Sequence, residues 1–239
     1  GQNIINLPEI EPGEKITAKF PIREFTDDKY MVFVTKYGTI KRVVLSDLQN
    51  IRKVGLRALS LAEGDLLVDV RLTEGHENIL IATHQGRAIT FDETEVRAMG
   101  RQAAGVRGIR LADGDYVVGA ARARKGAQVL SVTENGYGKR TPVEDFSIHH
   151  RGGGGILLHG LTDKTGLVAG IAVVDLDNDI MMITDDGVII RTPVEDIRQC
   201  GRNSQGVIVM RTGEDVKVIS IARTDKEEED EEAETPAES

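Results

Sequence analysis

The chain has 239 residues, 40% of them hydrophobic but only 4% aromatic and none of them Trp, so a packed core has to be built from Val, Ile, Leu and Ala. Its single cysteine, Cys200, excludes an intrachain disulfide framework and a multi-cysteine zinc site, and no window approaches 18 apolar residues, which excludes a membrane-spanning helix. The net charge of −9 is concentrated at one end: residues 225–239 carry nine acidic residues and one Lys, leaving 29 basic and 30 acidic residues in 1–224, a net of −1.

In chain order, Gly1 to Leu7 shows the glycine-plus-six-to-leucine spacing of Gly105 to Leu111. Residues 1–14 therefore read as the remnant strand of a preceding unit. The opening Gly-Gln-Asn-Ile, with neither Met nor a leader, reads as a point inside a longer chain. Four related stretches follow, each an apolar run closed by Thr-x-x-Gly: Met31 to Gly38, Ile79 to Gly86, Val129 to Gly136 and Ile180 to Gly187. Their glycines are 48, 50 and 51 residues apart. Ten residues after each comes an apolar residue: Leu48, Val96, Phe146 and Ile197. A second glycine lies nine residues farther on in three copies (Gly105, Gly155, Gly206) and seven farther in the first (Gly55).

Each unit predicts four short strands. The apolar run is the first, and Asn135-Gly136 and Asp186-Gly187 are dipeptides that accept the positive φ of a hairpin turn. The return strand carries cations, then ends in Thr-Pro-Val-Glu-Asp at 141–145 and again at 192–196. A polar loop, the second glycine and a third strand follow. A Gly-Asp turn at Gly64-Asp65 or Gly114-Asp115 then leads to the fourth strand. No window sustains a 3.6-residue period, so the fold class is all-β, with about four complete four-stranded, propeller-type blades of about 50 residues. The repeats run about 15–65, 66–115, 116–166 and 167–224. Residues 225–239, without apolar pattern, are expected to be a disordered acidic tail. That tail serves either solubility or competition for a basic face.

Several motifs resist a chemical reading. Gly152-Gly-Gly-Gly155 is followed by no Lys-Ser/Thr, so it is not a phosphate-binding loop. Asp175-Leu-Asp-Asn-Asp179 starts like a calcium loop, but its sixth position is Ile180 and its twelfth Asp186, which favours a turn. His149, His150 and His159 read as loop histidines without metal-ligand spacing, and Cys200 as a small packing residue. No nucleophile elbow or other catalytic constellation is found, so no catalytic residue and no metal site is assigned.

What recurs is positive charge. Cations occupy the return strand (Lys41, Arg42, Arg87, Lys139, Arg140, Arg191), the polar loop (Arg52, Lys53, Arg101, Arg151, Arg202) and the third strand (Arg57, Arg107, Arg110, Arg211). Blades related by rotation would place equivalent residues on one rim, giving a curved basic stripe. Such a stripe suits the phosphates of bent duplex DNA. Aromatics are too few for a base-stacking platform, which disfavours single strands.

Val96-Arg-Ala-Met-Gly100, Gly105-Val-Arg-Gly-Ile-Arg-Leu111, Asn135-Gly-Tyr-Gly-Lys-Arg-Thr141, Met181-Met-Ile-Thr184 and Gly201-Arg-Asn-Ser-Gln-Gly-Val207 resemble the C-terminal domain of DNA gyrase A. So do Ile4-Ile-Asn-Leu7 and Glu14-Lys-Ile-Thr17, and the match covers residues 1–224. The resemblance implies a β-pinwheel, a propeller relative whose blades exchange strands. It implies a rim that wraps duplex DNA, without sequence preference, in support of ATP-dependent negative supercoiling by the parent type II topoisomerase. It implies as partners the rest of gyrase A, together with gyrase B, with ATP and Mg in that complex only, a cytoplasmic location and no membrane. The piece itself is expected to be monomeric, without cofactor or catalytic activity. The family's box, Gln-Lys/Arg-Arg-Gly-Gly-Lys/Arg-Gly, has only a degenerate copy here, His149-His-Arg-Gly-Gly-Gly-Gly155, which lacks both flanking cations. The first blades of the family are expected to lie upstream. Two alternatives remain: the C-terminal domain of the equivalent topoisomerase IV polypeptide, which also lacks the box, and a propeller-type scaffold whose arginines bind acidic proteins.

Overall fold

A computed structural model describes residues 3–6, 19–22, 24–49 and 61–225. Its strands are β1 (Asn3–Asn6), β2 (Lys19–Ile22), β3 (Tyr30–Thr35), β4 (Thr39–Val44), β5 (Leu67–Thr73), β6 (Asn78–Thr83), β7 (Arg87–Asp92), β8 (Val106–Arg107), β9 (Val117–Arg122), β10 (Gln128–Thr133), β11 (Tyr137–Pro142), β12 (Ile156–Leu157), β13 (Val168–Val174), β14 (Asn178–Thr184), β15 (Ile189–Pro193), β16 (Val207–Ile208) and β17 (Val218–Asp225). Helical backbone among the described residues is limited to single 3-10 turns after the return strands, such as Val143–Asp145 and Val194–Asp196. The expected all-β propeller architecture is present.

Each Thr-x-x-Gly closes a hairpin for a local reason. The hydroxyl oxygens of Thr35, Thr83, Thr133 and Thr184 accept the N–H four residues on, from Thr39, Arg87, Tyr137 and Val188, each at 3.1 Å. The four glycines sit at φ of +84 to +88°, a conformation that favours Gly. The apolar residues ten positions later all point inward: Leu48, Val96, Phe146 and Ile197 are at most 3% exposed.

The sheets are assembled from non-adjacent pieces, with strand orders β5-β3-β4-β8, β9-β6-β7-β12, β13-β10-β11-β16 and β17-β14-β15. The outermost strand of each complete sheet comes from the following repeat. β8 pairs with β4, β12 with β7 and β16 with β11, each through two residue pairs. This is the strand exchange of a pinwheel. Uninterrupted chain contributes about 30–73, 78–122, 128–174 and 178–225 to the four sheets, so the sheets are out of phase with the sequence units that begin at 66, 116 and 167.

The fourth sheet ends at β15 with no exchanged strand among the described residues, and Val188 and Ile189 are 46% and 58% exposed there. A Cβ placed on Gly136 would meet the Met210 carbonyl at 1.9 Å, whereas one on Gly187 would meet nothing within 4 Å. The inner strands β5, β9, β13 and β17 run side by side around one axial groove, and apolar clusters fill the spaces between neighbouring sheets. Within 1–14, where a remnant strand of a preceding unit is expected, the described residues 3–6 form β1, which pairs with β2 in a two-stranded sheet of its own. The expected disorder of the acidic tail lies outside the described residues, except that Asp225 is the last residue of β17, opposite Asn178.

Candidate nucleic-acid interface

Of the return-strand cations, Lys41, Arg42, Lys139 and Arg140 turn inward, whereas Arg87 and Arg191 are exposed. Lys139 is completely buried, and its ammonium donates to the carbonyls of Gly201, Arg202 and Ser204 at 2.7, 2.7 and 2.9 Å. Burial lowers its pKa to about 8, against a smaller upward pull from Cys200. Lys41, at the equivalent position, is 5% exposed, donates to the carbonyl of Arg101, and has its pKa lowered by burial. The neighbouring guanidiniums make a second layer. Arg42 stacks on Tyr30 at 3.7 Å, bonds Glu93 at 2.9 Å and donates to the Val96 carbonyl at 3.3 Å. Arg140 donates to the equivalent Ile197 carbonyl and to Gln128. A Lys-Arg pair on a strand points to both faces of the sheet. Here both faces are covered, and the pair fastens the loop of the following repeat.

The polar-loop arginines also hold neighbouring chain, yet remain partly open. Arg151 donates to the Arg107 carbonyl at 3.0 Å, and Arg202 makes the equivalent bond to the Leu157 carbonyl at 3.0 Å. Arg101 occupies the same repeat position and is partly exposed. Arg52, Lys53 and Arg57 lie outside the described residues. Arg191 is exposed and bonds Asp179 at 2.8 Å.

Four arginines converge where the exchanged strands of the first two sheets meet. The chain around Gly152–Gly155 is joined to the segment after β8: the Gly152 N–H donates to Gly108 at 2.7 Å and the Arg110 N–H to Gly153 at 2.9 Å. Arg87 reaches this loop from β7, donating to the Gly155 carbonyl at 2.8 Å. Arg107 and Arg110 are exposed beside it, and Arg151 bridges from the preceding turn. The glycines let backbone pass close under the guanidiniums: a Cβ on Gly154 would stand 3.5 Å from a terminal nitrogen of Arg110. Glu95 is the carboxylate in contact, 3.1 Å from His150 and accepting the Arg151 N–H at 3.2 Å.

The equivalent junction farther along is built alike, with the Gly160 N–H donating to Ser204 at 3.0 Å, but Leu157 and Gly160 replace Arg107 and Arg110. Exposed Arg211 restores one cation in the last repeat. The repeat positions singled out from the sequence leave out Arg97 and Arg198, which are both exposed and both directly follow the buried apolar residue of their repeat. That shared offset is the signal that could have found them.

Of the histidines, His149 and His150 are exposed in a loop, but His159 is not the loop-surface residue expected. It is fully buried, its Nε2 donating to the Gln205 carbonyl and its Nδ1 accepting from the Ser131 hydroxyl, both at 2.8 Å. Burial lowers its pKa to about 4. Residues 175–178 form the expected turn, in which the Asn178 side chain accepts the Asp175 N–H at 2.8 Å.

The family pattern described as the DNA gyrase C-terminal domain, beta-propeller, matches residues 29–74, 77–124, 127–175 and 178–225, which coincide with the uninterrupted parts of the four sheets. The chain is 40% identical to the A subunit of DNA gyrase from Escherichia coli K12 over 98% of its own length and 27% of that protein. It is 44% identical to the same polypeptide of Staphylococcus aureus NCTC 8325 over 97% of its length and 26% of the relative, so it spans about a quarter of these relatives. Among solved structures, a DNA gyrase A C-terminal domain superposes with a TM-score of 0.78 at 25% identity, covering 90% of this chain and 73% of that one. The C-terminal domain of a DNA topoisomerase IV superposes with a TM-score of 0.83 at 30% identity, covering 90% and 68%. With four consecutive matches in register with four sheets, the chain belongs to the DNA gyrase C-terminal domain family.

Proposed function

We propose that this domain binds duplex DNA along its outer edge without reading base sequence, and bends it as successive repeats take hold. The observation that carries this reading is the convergence of Arg87, Arg107, Arg110 and Arg151 around the Gly152–Gly155 loop, at a junction between exchanged strands. Guanidiniums gathered at a junction between exchanged strands suit phosphate oxygens, and contacts of this kind position a duplex without specifying its sequence. Arg97, Arg101, Arg198, Arg202 and Arg211 extend the surface toward both sides. Lys41, Arg42, Lys139 and Arg140 act in this reading as internal fasteners, so they support the edge rather than touch phosphate.

Within a longer protein, the domain serves as the DNA-wrapping part of a gyrase A-type polypeptide in the cytoplasm. The rest of that polypeptide and gyrase B supply DNA cleavage and ATP use, with ATP and Mg bound in that complex. The domain has no catalytic role of its own. The likeness to topoisomerase IV keeps that enzyme's C-terminal domain as the second reading, and the 40% and 44% identities to gyrase A sequences favour the first. The test is binding of a random-sequence duplex across a salt series. A scaffold for acidic proteins would show no salt-dependent affinity for duplex.

A further inference from the structure

An acidic residue stands nine positions after each hairpin glycine: Asp47, Glu95, Asp145 and Asp196. Each directly precedes the buried apolar residue of its repeat, and the second copy alone is a glutamate. Glu95 closes the 3-10 turn Glu93–Glu95, whose first residue is anchored to the first sheet. The Glu93 carboxylate is fully buried and accepts from Arg42 Nε at 2.9 Å, from the Thr73 hydroxyl at 2.7 Å and from the Glu77 N–H at 2.9 Å. In the third repeat the corresponding turn, Val143–Asp145, starts with an apolar residue instead.

From this fixed base the Glu95 side chain reaches the loop that carries Arg151. Its Oε1 accepts the Arg151 N–H at 3.2 Å and lies 3.1 Å from His150 Nδ1. The Glu95 carbonyl accepts from Arg151 Nε at 3.1 Å, and Arg151 Nη1 donates to the Arg107 carbonyl at 3.0 Å. Backbone and guanidinium of Arg151 are thus both held, with the Nη2 side left to face a phosphate oxygen. The third repeat supplies the comparison. Arg202 keeps the bond to the Leu157 carbonyl, but among the described residues Asp145 accepts nothing from the loop that carries it. An aspartate carboxylate sits one carbon–carbon bond, about 1.5 Å, nearer the backbone.

We propose that Glu95 is a positioning residue for the phosphate contact of Arg151, acting through its reach and not through its charge. The inference rests on the outer-edge reading of DNA binding. Charge alone argues the other way, because a carboxylate among the arginines around Gly152–Gly155 repels phosphate. Holding Arg151 before the duplex arrives removes an ordering cost that binding would otherwise carry. The two effects separate by substitution. Glutamine keeps an oxygen at the same reach and removes the charge, whereas aspartate keeps the charge and removes the reach.

The test compares Glu95→Asp and Glu95→Gln in the full chain, by amide hydrogen exchange without DNA and by affinity for a random-sequence duplex. Without DNA, the Arg151 amide should exchange about tenfold faster in Glu95→Asp and within about threefold of the parent in Glu95→Gln. With duplex at moderate salt, Glu95→Asp should bind about 3- to 10-fold more weakly at unchanged net charge, and Glu95→Gln at least as tightly as the parent. In an Arg151→Gln background, Glu95→Asp should weaken binding no further. Exchange and affinity of Glu95→Asp equal to the parent's would overturn the inference, as would additive losses in the double variant. Those results would leave duplex binding by the outer edge standing. A parent chain without salt-dependent duplex affinity would instead remove the outer-edge reading, and the positioning role with it, while the exchange rates at Arg151 stayed as measured.

Discussion

The ammonium of Lys139 donates to the carbonyl of Arg202, 63 residues away, at 2.7 Å. That bond joins the return strand of one repeat to the polar loop of the next, and so ties a charged side chain that looks like a DNA contact to the assembly of the sheets. Two more carbonyls, of Gly201 and Ser204, share the same ammonium.

Lys139→Ala should therefore act on stability. Stranding buried carbonyls costs roughly 1–3 kcal/mol each, partly offset where water enters, so a loss of about 3 kcal/mol is expected. Urea unfolding of the variant measures it. Unchanged stability with weaker DNA binding would instead make Lys139 a phosphate contact.

Strand exchange makes two glycines of one sequence motif unequal. Gly136 and Gly187 share φ near +85°, yet only Gly136 is roofed by an incoming strand, at Met210. Gly187→Ala should cost about 1–2 kcal/mol, the strain of a left-handed residue. Gly136→Ala should cost at least about 3 kcal/mol, since strain and a backbone clash add. Equal melting shifts for the two variants would mean that the fold does not depend on the exchanged strand at that site.

His159 predicts an acid limb in the stability profile. Its folded pKa of about 4 lies below the unfolded value near 6.5, so the unfolded chain takes up the proton first as pH falls. Stability from this residue is complete above about pH 6.5 and is lost progressively down to about pH 4, by roughly 3 kcal/mol in total. His159→Gln should be less stable at pH 7 but should lose less between those pH values. Parallel profiles for variant and parent would remove His159 as the source.

The local half of the fold is legible in the sequence because it obeys short-range rules. Thr133 caps its own hairpin and Phe146 drops into the core at a fixed distance along the chain, so both leave a periodic mark. The exchange of β16 onto β11 leaves none, since Tyr137 and Ile208 are brought together only by the packing of neighbouring sheets. The same non-local packing decides which cations stay in solvent. Lys139 and Arg107 look alike in sequence. One is sealed under the loop at 201–204, while the other stands on the outermost strand. The burial of His159 is hidden for that reason too, because Ser131 and Gln205, which enclose it, belong to different repeats.

The central claim is that duplex phosphates lie on the arginines gathered around Gly152–Gly155. It is tested most directly by the affinity of Arg87→Gln/Arg107→Gln/Arg110→Gln for a random-sequence duplex over a salt series. Each phosphate contact contributes about −0.9 to the slope of log affinity against log salt. The triple variant should therefore show a slope shallower by about 2–3, weaker binding to every sequence alike and an unchanged urea midpoint. A slope identical to the parent's would place the DNA elsewhere on the molecule.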